Sequence, residues 1–338
     1  MCKAKLKRGL GLDNNKIDLV GNVCDCWIRS VLPLQKAWLD HVDDLCNNFR
    51  FDIVQVEMVW MVSQILALPY NSIKIFVHHE LGFVRRELEL NQVKNDNYVN
   101  ACRMFVDDAE IGLLNKYDAV ITLSSVDKIK LMAHGVNVPI YSSFATVDSR
   151  PNFKLGFGCG KQLSFVGPSS HSPNYIGVTW FLENCWKKLK DHSADYKLYI
   201  YGKWDEKYVK HISSKFSDVV FCGFVEDLET AIKGSIMIVP LTIGSGIRMK
   251  ILEACSIGVP FVSTSVGAEG IPVISGKHCY IADSPKDFVE SLIRLQQSDL
   301  QKSFILQARK LVEENYSLEV LKNNRMDIYR NVLSQKGA

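Results

Sequence analysis

A short segment in the second half of the chain carries the residue types that a phosphate site needs. Two glycines, Gly244 and Gly246, are followed by two cations, Arg248 and Lys250. Glycine lets the backbone approach a ligand closely and adopt dihedral angles that other residues avoid. The segment opens a predicted helix, whose first turn presents unpaired N–H groups and the positive end of the helix dipole. The pattern therefore predicts a phosphate or a diphosphate as the ligand.

Glu253 lies further along the same predicted helix, which we expect to run from about Ile247 to Ser256 and to end at Gly258. A carboxylate there can accept hydrogen bonds from two vicinal hydroxyls, such as those of a ribose. The alternative is a tight strand-to-helix turn with a surface ion pair between Lys250 and Glu253. The segment is neither a GxxxxGK[ST] phosphate loop nor a GxGxxG fingerprint, so ATP and NAD are weak candidates.

The elements around this segment follow a regular alternation. Short β-branched runs alternate with amphipathic stretches, which is typical of parallel α/β units, and continuous apolar strands indicate sheets covered on both faces. In the first half the pattern predicts strands at Ile53–Glu57, Lys74–His78, Ala119–Leu123 and Val138–Ser142. In the second half it predicts strands at Gln162–Val166, Lys197–Tyr201, Val219–Cys222, Ile236–Pro240 and Pro260–Thr264.

The sequence also predicts where three helices start and where a linker lies. Ser124 or Ser125 is a predicted helix cap, and Ser172 and Ser284 each precede a proline that suits the first turn of a helix. Residues 149–161 hold three glycines and one proline and predict a linker between two α/β domains. Ligands of such sheets bind beyond the carboxyl ends of the strands, which is where the glycine-rich segment lies.

The overall composition excludes several classes of protein. The chain has 338 residues, of which 47% are hydrophobic and 23% charged, as in an ordinary globular protein. Its 40 basic and 37 acidic side chains give a net charge of +3, too balanced to indicate nucleic-acid binding. No apolar run of about 18 residues could span a bilayer. Ten cysteines without a CxxC spacing, and no secretory h-region, favour buried thiols in a reducing compartment.

Six segments together resemble one known family. PLTIGSGIRMKILEACSIGVPFVSTSVGAEGI is the most specific, and LSFVGPSSHSPN and FCGFVEDL flank it. FDIVQVE, KIFVHHELGFVRRE and YDAVITLSSVDKIKL lie in the first half. These segments resemble glycosyltransferase family 4, the group 1 glycosyltransferases, which are retaining enzymes of GT-B fold. The resemblance spans about residues 51–281 and is most specific over 165–270.

The resemblance implies an α/β protein of GT-B architecture, with two Rossmann-like, doubly wound parallel-sheet domains that face an interdomain cleft. It places an acceptor-side domain at residues 1–150 and a nucleotide-sugar-binding domain at 151–317. A C-terminal helix at 318–338 would pack back on the first domain.

The resemblance also implies how the second domain holds the donor. Glu253 matches the second glutamate of the family's paired-glutamate motif, which contacts the ribose. Gly167 matches the glycine turn near the diphosphate, and Val225 falls in the loop that receives the base. Gly244–Gly246 would face the donor sugar or the phosphates, with Arg248 nearby.

A catalytic histidine near the donor sugar is implied for the first domain. We expect it to be His79, although the register also allows His78, and the alternative is a pair of surface histidines at a strand end. The neighbouring Arg85 and Arg86 could touch an acceptor or a membrane surface, or lie on the solvated face of an ordinary amphipathic helix.

Three features depart from the family pattern. Ser245 stands where the family has its first glutamate. The glycine turn continues as Pro168-Ser169-Ser170-His171 without the usual basic residues, so Arg248 and Lys250 are the predicted phosphate-binding cations. FDIVQVE begins at residue 51, and nothing before it resembles the family's opening glycine-rich loop. We therefore expect the first domain to be shortened or divergent at its start.

From the resemblance we expect a retaining, metal-independent hexosyltransferase without a cofactor. It would move a sugar from a nucleotide diphosphate sugar to a hydroxyl of a glycan or lipid-linked acceptor, in surface polysaccharide synthesis. We expect it in the cytoplasm or in contact with the inner face of the membrane, with no nucleic-acid partner. The alternatives are a nucleotide-sugar epimerase or phosphorylase of the same architecture, and an inactive donor-binding relative that acts as an assembly module.

Overall fold

The protein divides into two compact units. The computed structural model describes residues 19–69, 71–90, 97–147 and 161–336. The first unit takes the described residues within Met1–Phe144, Ser245–Ile247 and Lys322–Ala338, and the second takes those within Ala145–Gly244 and Arg248–Leu321. Apart from Lys161, the predicted linker lies outside the described residues. The expected domain limits at 150/151 and 317/318 stay predictions.

A four-stranded parallel sheet forms the centre of the first unit. Its strands follow the chain order and are β1 (Ile53–Glu57), β2 (Ile73–His78), β3 (Ala119–Thr122) and β4 (Ile140–Ser142). Every residue of β2 and β3 is buried, as central parallel strands covered on both faces require. All four predicted strands are confirmed: β1 has the predicted ends, and each of the others differs from its prediction at one end, by one or two residues.

Helices surround this first sheet. They are α1 (Leu19–Arg29), α2 (Lys36–Asn48), a 3-10 helix (Val59–Ala67), α3 (Gly82–Leu90), α4 (Asn97–Leu114) and α5 (Ser125–Ala133). Ser124 caps α5, because its Oγ accepts a hydrogen bond from the N–H of Asp127 at 3.0 Å. The core packs Phe76 of β2 and Val120 of β3 against Leu114 of α4.

The second unit is built on a six-stranded parallel sheet in the order β10-β9-β8-β5-β6-β7. The strands are β5 (Gln162–Val166), β6 (Lys197–Tyr201), β7 (Val219–Gly223), β8 (Ile236–Val239), β9 (Phe261–Ser263) and β10 (Tyr280–Ile281). This is the Rossmann strand order, which confirms the predicted doubly wound α/β class in the second unit, whereas the described strands of the first unit follow the chain order without a reversal. The order reverses between β5 and β8, so the switch point lies there.

The helices of the second unit begin with α6 (Ser172–Phe181), which continues through a π-helical segment (Leu182–Trp186) into α7 (Lys187–His192). There follow α8 (Glu206–Lys215), α9 (Leu228–Ile232), α10 (Met249–Ile257), α11 (Ser265–Ala268), α12 (Pro285–Arg294), α13 (Ser298–Asn315) and α14 (Leu318–Lys336). The predicted cap at Ser284 is confirmed. The predicted cap at Ser172 is wrong: Ser172 is already helical, and the backbone carbonyl of His171 accepts from the N–H of Asn174 instead.

The C-terminal part of α14 makes its contacts within the first unit. Arg325 Nε donates to Ser143 Oγ at 2.7 Å, and the hydroxyl of Tyr329 donates to Gln55 Oε1 at 2.7 Å. Ile328 and Val332 of the same helix are buried. These residues fix the helix against β1 and the end of β4.

Two expectations from composition can be compared with the structure. Within the described ranges, no helix combines the length and the apolar character needed to cross a membrane. We expected buried thiols rather than disulfides. This is wrong at Cys26, which is disulfide-bonded, whereas four other cysteines are free and buried: Cys102, Cys185, Cys255 and Cys279.

Candidate functional site

Two loops leave the second sheet at its switch point and define the candidate site. One follows β5 and contains Gly167, and the other follows β8 and runs to Arg248. In open parallel sheets, ligands bind outside the carboxyl ends of the strands at the place where the strand order reverses. The fold therefore brings two predicted glycine segments, far apart in sequence, to the same edge of one sheet.

The turn after β5 has a backbone that only glycine fits. Gly167 has a φ of +144°, and a Cβ there would lie 2.5 Å from Nδ2 of Asn174. Its N–H donates to the carbonyl of Tyr201 at 2.8 Å, and its own carbonyl accepts from the indole N–H of Trp204 at 2.9 Å. These contacts hold the turn rigidly at the end of the strand.

The loop after β8 stays non-helical for longer than predicted. Gly244 and Gly246 have φ values of +135° and +76°, and Arg248 occupies the cap position of α10 with φ −86° and ψ 89°. The helix expected to start near Ile247 starts two residues later, because these dihedral angles delay the first helical residue to Met249. The predicted end at Gly258 is confirmed, with a left-handed φ of +81°.

Steric limits explain both glycines of this loop. A Cβ on Gly244 would lie 2.6 Å from Nη2 of Arg248, whose side chain is buried against it. A Cβ on Gly246 would lie 2.6 Å from the carbonyl oxygen of His79, and both residues belong to the first unit. Ser245, which stands between these two glycines in the chain, is buried.

Lys250 is directed inward rather than to the surface. Its Nζ donates to Oδ1 of Asn174 at 2.8 Å and lies 4.3 Å from the ring centre of Phe165. Burial, and then the charge of Arg248, lower the pKa of Lys250 to about 7, against the opposing effect of Glu253. In the described part of the chain Lys250 and Glu253 form no ion pair, so the alternative of a surface pair is wrong.

Glu253 lines a cavity of about 390 Å³ within the second unit. That volume lies in the range of small-ligand pockets. The wall consists of Thr146, Val147, Glu226, Asp227, Leu228, Glu229, Met249, Glu253, Ser256 and Ile257. Val225 precedes this wall in the loop between β7 and α9 and is not itself part of the lining. The predicted ribose and base segments therefore border one cavity.

Two parts of this site have no signal in the sequence. Thr146 and Val147 come from the chain between β4 and β5, and both bond to the carbonyl of Tyr316, at 2.9 and 3.2 Å. Asn174, which contacts Lys250, was visible only as part of a segment resembling the family. These contacts join residues that are distant in the chain, so they are seen only in the structure.

The two adjacent histidines of the first unit have different environments. His78 is fully buried, with Nε2 3.0 Å from Oε1 of Glu110. The side chain of His79 is 32% exposed, and its Nε2 lies 2.8 Å from Oε2 of Glu57 at the end of β1. A buried ring has no access to a ligand, so His78 is excluded as a catalytic group. His79 stays the predicted catalytic residue.

Beneath His79 lies a buried polar cluster that the sequence did not suggest. Glu110 accepts from His78, from the N–H of Gly82 and from Arg86, which also donates to Asp107 at 2.7 Å. Burial alone would raise the pKa of Glu110, but the hydrogen bond from His78 and the charge of Arg86 hold this pKa below its ordinary value. The expectation that Arg86 faces solvent, an acceptor or a membrane is therefore wrong.

No group of three or more potential metal ligands among His, Cys, Asp and Glu occurs in the residues that the structure describes. The predicted cations that follow the glycine loop after β8 are Arg248 and Lys250.

Comparison with known proteins identifies the second unit. Residues 160–298 match the family model of "Glycosyl transferases group 1". This region is a group 1 glycosyltransferase domain. Both loops of the switch point, Glu253 and most of the cavity wall belong to the group 1 domain. Over these residues, the predicted resemblance to the group 1 glycosyltransferases is confirmed.

A curated relative comes from Klebsiella pneumoniae. It is an "uncharacterized 44.6 kDa protein in cps region", 26% identical over 311 residues, which cover 84% of this chain and 76% of that protein.

Solved structures share the fold at low sequence identity. Staphylococcus aureus TarM in complex with fondaparinux, α-GlcNAc-glycerol and UDP has a TM-score of 0.68 and 14% identity, over 87% of this chain and 58% of that one. Anabaena HepE in complex with UDP has a TM-score of 0.66 and 12% identity, over 88% of this chain and 82% of that one. This chain thus spans little more than half the length of TarM. The likeness shows the fold, which is of GT-B type.

Proposed function

We propose that this protein is a retaining glycosyltransferase that moves a sugar from a nucleoside diphosphate sugar to a hydroxyl of a glycan or lipid-linked acceptor. The observation that carries the proposal is the cavity lined by Met249 and Glu253 of α10, the helix that follows the glycine loop after β8 in the group 1 glycosyltransferase region. Its volume and its carboxylate suit a nucleoside, and the neighbouring glycine loops and cations suit a diphosphate.

In this proposal each part of the donor has its own contacts. The ribose hydroxyls donate to Glu253, and the base lies against the loop that contains Val225. The diphosphate lies between the turn at Gly167 and the loop Gly244–Gly246. Arg248 and Lys250 neutralise its charge, a task that a divalent cation performs in other enzymes, so we propose that the reaction needs no metal.

Catalysis then consists mainly of stabilising the leaving group. As the bond between the anomeric carbon and the phosphate oxygen breaks, negative charge develops on the diphosphate. Fixed N–H groups of the first turn of α10 and the two cations are aligned to stabilise that charge before the reaction begins. The acceptor hydroxyl attacks from the same face, which retains the configuration. We propose His79, the exposed member of the histidine pair, as the catalytic residue.

The acceptor class is inferred from the relatives. The Klebsiella relative is encoded in a cps region, and TarM and HepE were solved with UDP. These findings support a role in surface polysaccharide synthesis, with UDP-sugars as the first donors to test. We place the reaction in the cytoplasm, at or near the membrane on which lipid-linked acceptors are carried.

A thermal-shift panel with UDP, GDP, ADP and their sugars tests donor binding. A true ligand at 100 times its dissociation constant adds about 2.7 kcal/mol to the free energy of unfolding. We expect one nucleotide series to raise Tm, and a flat response to all of them would contradict the proposal.

A labelled donor then separates transfer from the alternatives. With the matching sugar donor and no acceptor, a transferase leaves the donor intact or hydrolyses it slowly, whereas an epimerase converts it. Phosphate-dependent release of sugar phosphate would indicate a phosphorylase. Tight donor binding without transfer or hydrolysis, over a range of glycan acceptors, would indicate an assembly module.

A further inference from the structure

Asn174 links the two loops of the switch point. It lies in the first turn of α6 and is 3% exposed. Its Nδ2 donates to the carbonyl of Pro168 in the turn after β5, at 3.0 Å. Its Oδ1 accepts from Nζ of Lys250 on α10, which follows β8, at 2.8 Å. The nitrogen of this buried amide therefore bonds to the turn after β5, and its oxygen bonds to the helix that follows the loop after β8.

Tight packing fixes this amide. The Cβ that Gly167 lacks would lie 2.5 Å from Nδ2 and 3.1 Å from Oδ1 of Asn174. A lysine side chain is flexible, so its ammonium group has no defined position without such a partner. Asn174 on one side and the ring of Phe165 on the other confine Nζ of Lys250 next to the turn at Gly167.

We propose that Asn174 is a positioning residue that holds Lys250 against the turn at Gly167, so that both contact the same diphosphate. This inference rests on the proposed function, because it takes a nucleoside diphosphate as the ligand of these loops.

The neutrality of the amide matters for the charge of Lys250. Two charged groups act on its ammonium, Arg248 and Glu253, both on the same segment, while β5 and α6 contribute the neutral Phe165 and Asn174. A carboxylate in place of the amide would pair with the ammonium before any ligand arrives. An amide orients Lys250 and leaves its charge to be balanced by the diphosphate.

Proton uptake on binding follows from this arrangement. In the absence of ligand the pKa of Lys250 is lowered to about 7. A bound diphosphate stabilises the ammonium and raises that pKa, so above pH 7 binding takes up a proton and the affinity falls as the pH increases. A residue with only a structural role in the fold would not change this proton count.

Isothermal titration of the full chain with UDP, or with the nucleotide that the panel selects, tests the proposal. Titrations between pH 6.5 and 8.5 in two buffers with different heats of ionisation count the protons taken up. For Asn174→Ala we expect binding roughly tenfold to a hundredfold weaker, the loss of a hydrogen bond to a charged group. For Asn174→Asp we expect weaker binding and little or no proton uptake, because Lys250 is already charged.

Asn184→Ala is the matched control, because its Nδ2 donates only to the carbonyl of Trp180, at 2.9 Å, on an exposed part of the same helical stretch. It should bind like the wild type. Circular dichroism and Tm verify that each variant is folded, and the nearly isosteric Asn174→Asp covers the case in which the alanine variant unfolds.

The outcomes separate the two proposals. If the wild type binds nucleotide with proton uptake, and both Asn174 variants match it in affinity and uptake, the positioning role is overturned and the proposed function stands. If the wild type binds no nucleotide at all, the proposed function fails and the positioning role fails with it.

Discussion

Replacing Glu253 with alanine is the most direct test of the donor site. The side chain lines the cavity, is partly exposed, and makes no hydrogen bond or ion pair within the described part of the chain, so its removal leaves no buried partner unsatisfied. A hydrogen bond to a charged group contributes about 1.5–3 kcal/mol. Because Glu253 is partly solvated, we take the low end for each of two ribose hydroxyls. The sum of about 3 kcal/mol corresponds to a roughly 150-fold weaker dissociation constant.

The assay is isothermal titration with the nucleotide, with Tm measured in parallel. We expect Tm to change by no more than about 2 °C, because this carboxylate makes no hydrogen bond or ion pair within the described part of the chain. Glu253→Gln should lie between the wild type and the alanine variant, since it keeps the shape and one acceptor oxygen. Glu290→Ala is the control, because Glu290 forms only long surface ion pairs of 3.9 Å with Lys286 and Arg294. An affinity within threefold of the wild type in a folded Glu253→Ala protein would refute the assignment of Glu253 to the ribose.

Two further substitutions test the parts that surround His79. Gly246→Ala should lower both Tm and transfer activity, because a φ of +76° costs about 1–2 kcal/mol for alanine and its Cβ would lie 2.6 Å from the carbonyl oxygen of His79. Gly276→Ala is the control, because Gly276 has a similar φ of +80° but open space around it. It should lower Tm through the backbone cost and leave transfer activity unchanged. Equal losses of activity in the two variants would contradict the steric argument. Glu110→Ala removes the acceptor shared by His78 and Arg86, and we expect urea unfolding to show a loss of about 3–5 kcal/mol. A loss below about 1 kcal/mol would mean that the buried cluster does not stabilise the unit.

The strands were the most predictable part of the fold. Five residues at Gln162–Val166 and five at Lys197–Tyr201 were predicted with their observed ends, because buried β-branched and aromatic runs are bounded by polar residues and glycine. β10 was missed, since two residues are too few for any periodicity. The start of α10 was placed too early because hydrophobic spacing does not report the dihedral angles of Gly246 and Arg248.

For the candidate site, the sequence identified residue types but not their partners. The cations Arg248 and Lys250 were predicted from their position after two glycines. The inward direction of Lys250 was not, since it depends on Asn174 and Phe165, which belong to other elements. Arg86 shows the same limit. Its spacing is typical of a solvated helix face, yet Glu110, from the next helix, pairs with it in the interior.

The different fates of His78 and His79 have a consequence for anyone who alters this strand. Successive side chains of a strand alternate between its faces, so a slip of a single position exchanges the two. The bond between His78 and Glu110 makes such a slip costly, because it would withdraw an imidazole from an enclosed carboxylate. Deleting one amino acid within Ile73–His78 would therefore move the second imidazole into the enclosed position, whereas inserting one would move the first imidazole out of it. A mutant library at this position should therefore vary His79 and keep His78, whose bond to Glu110 fixes the register of β2.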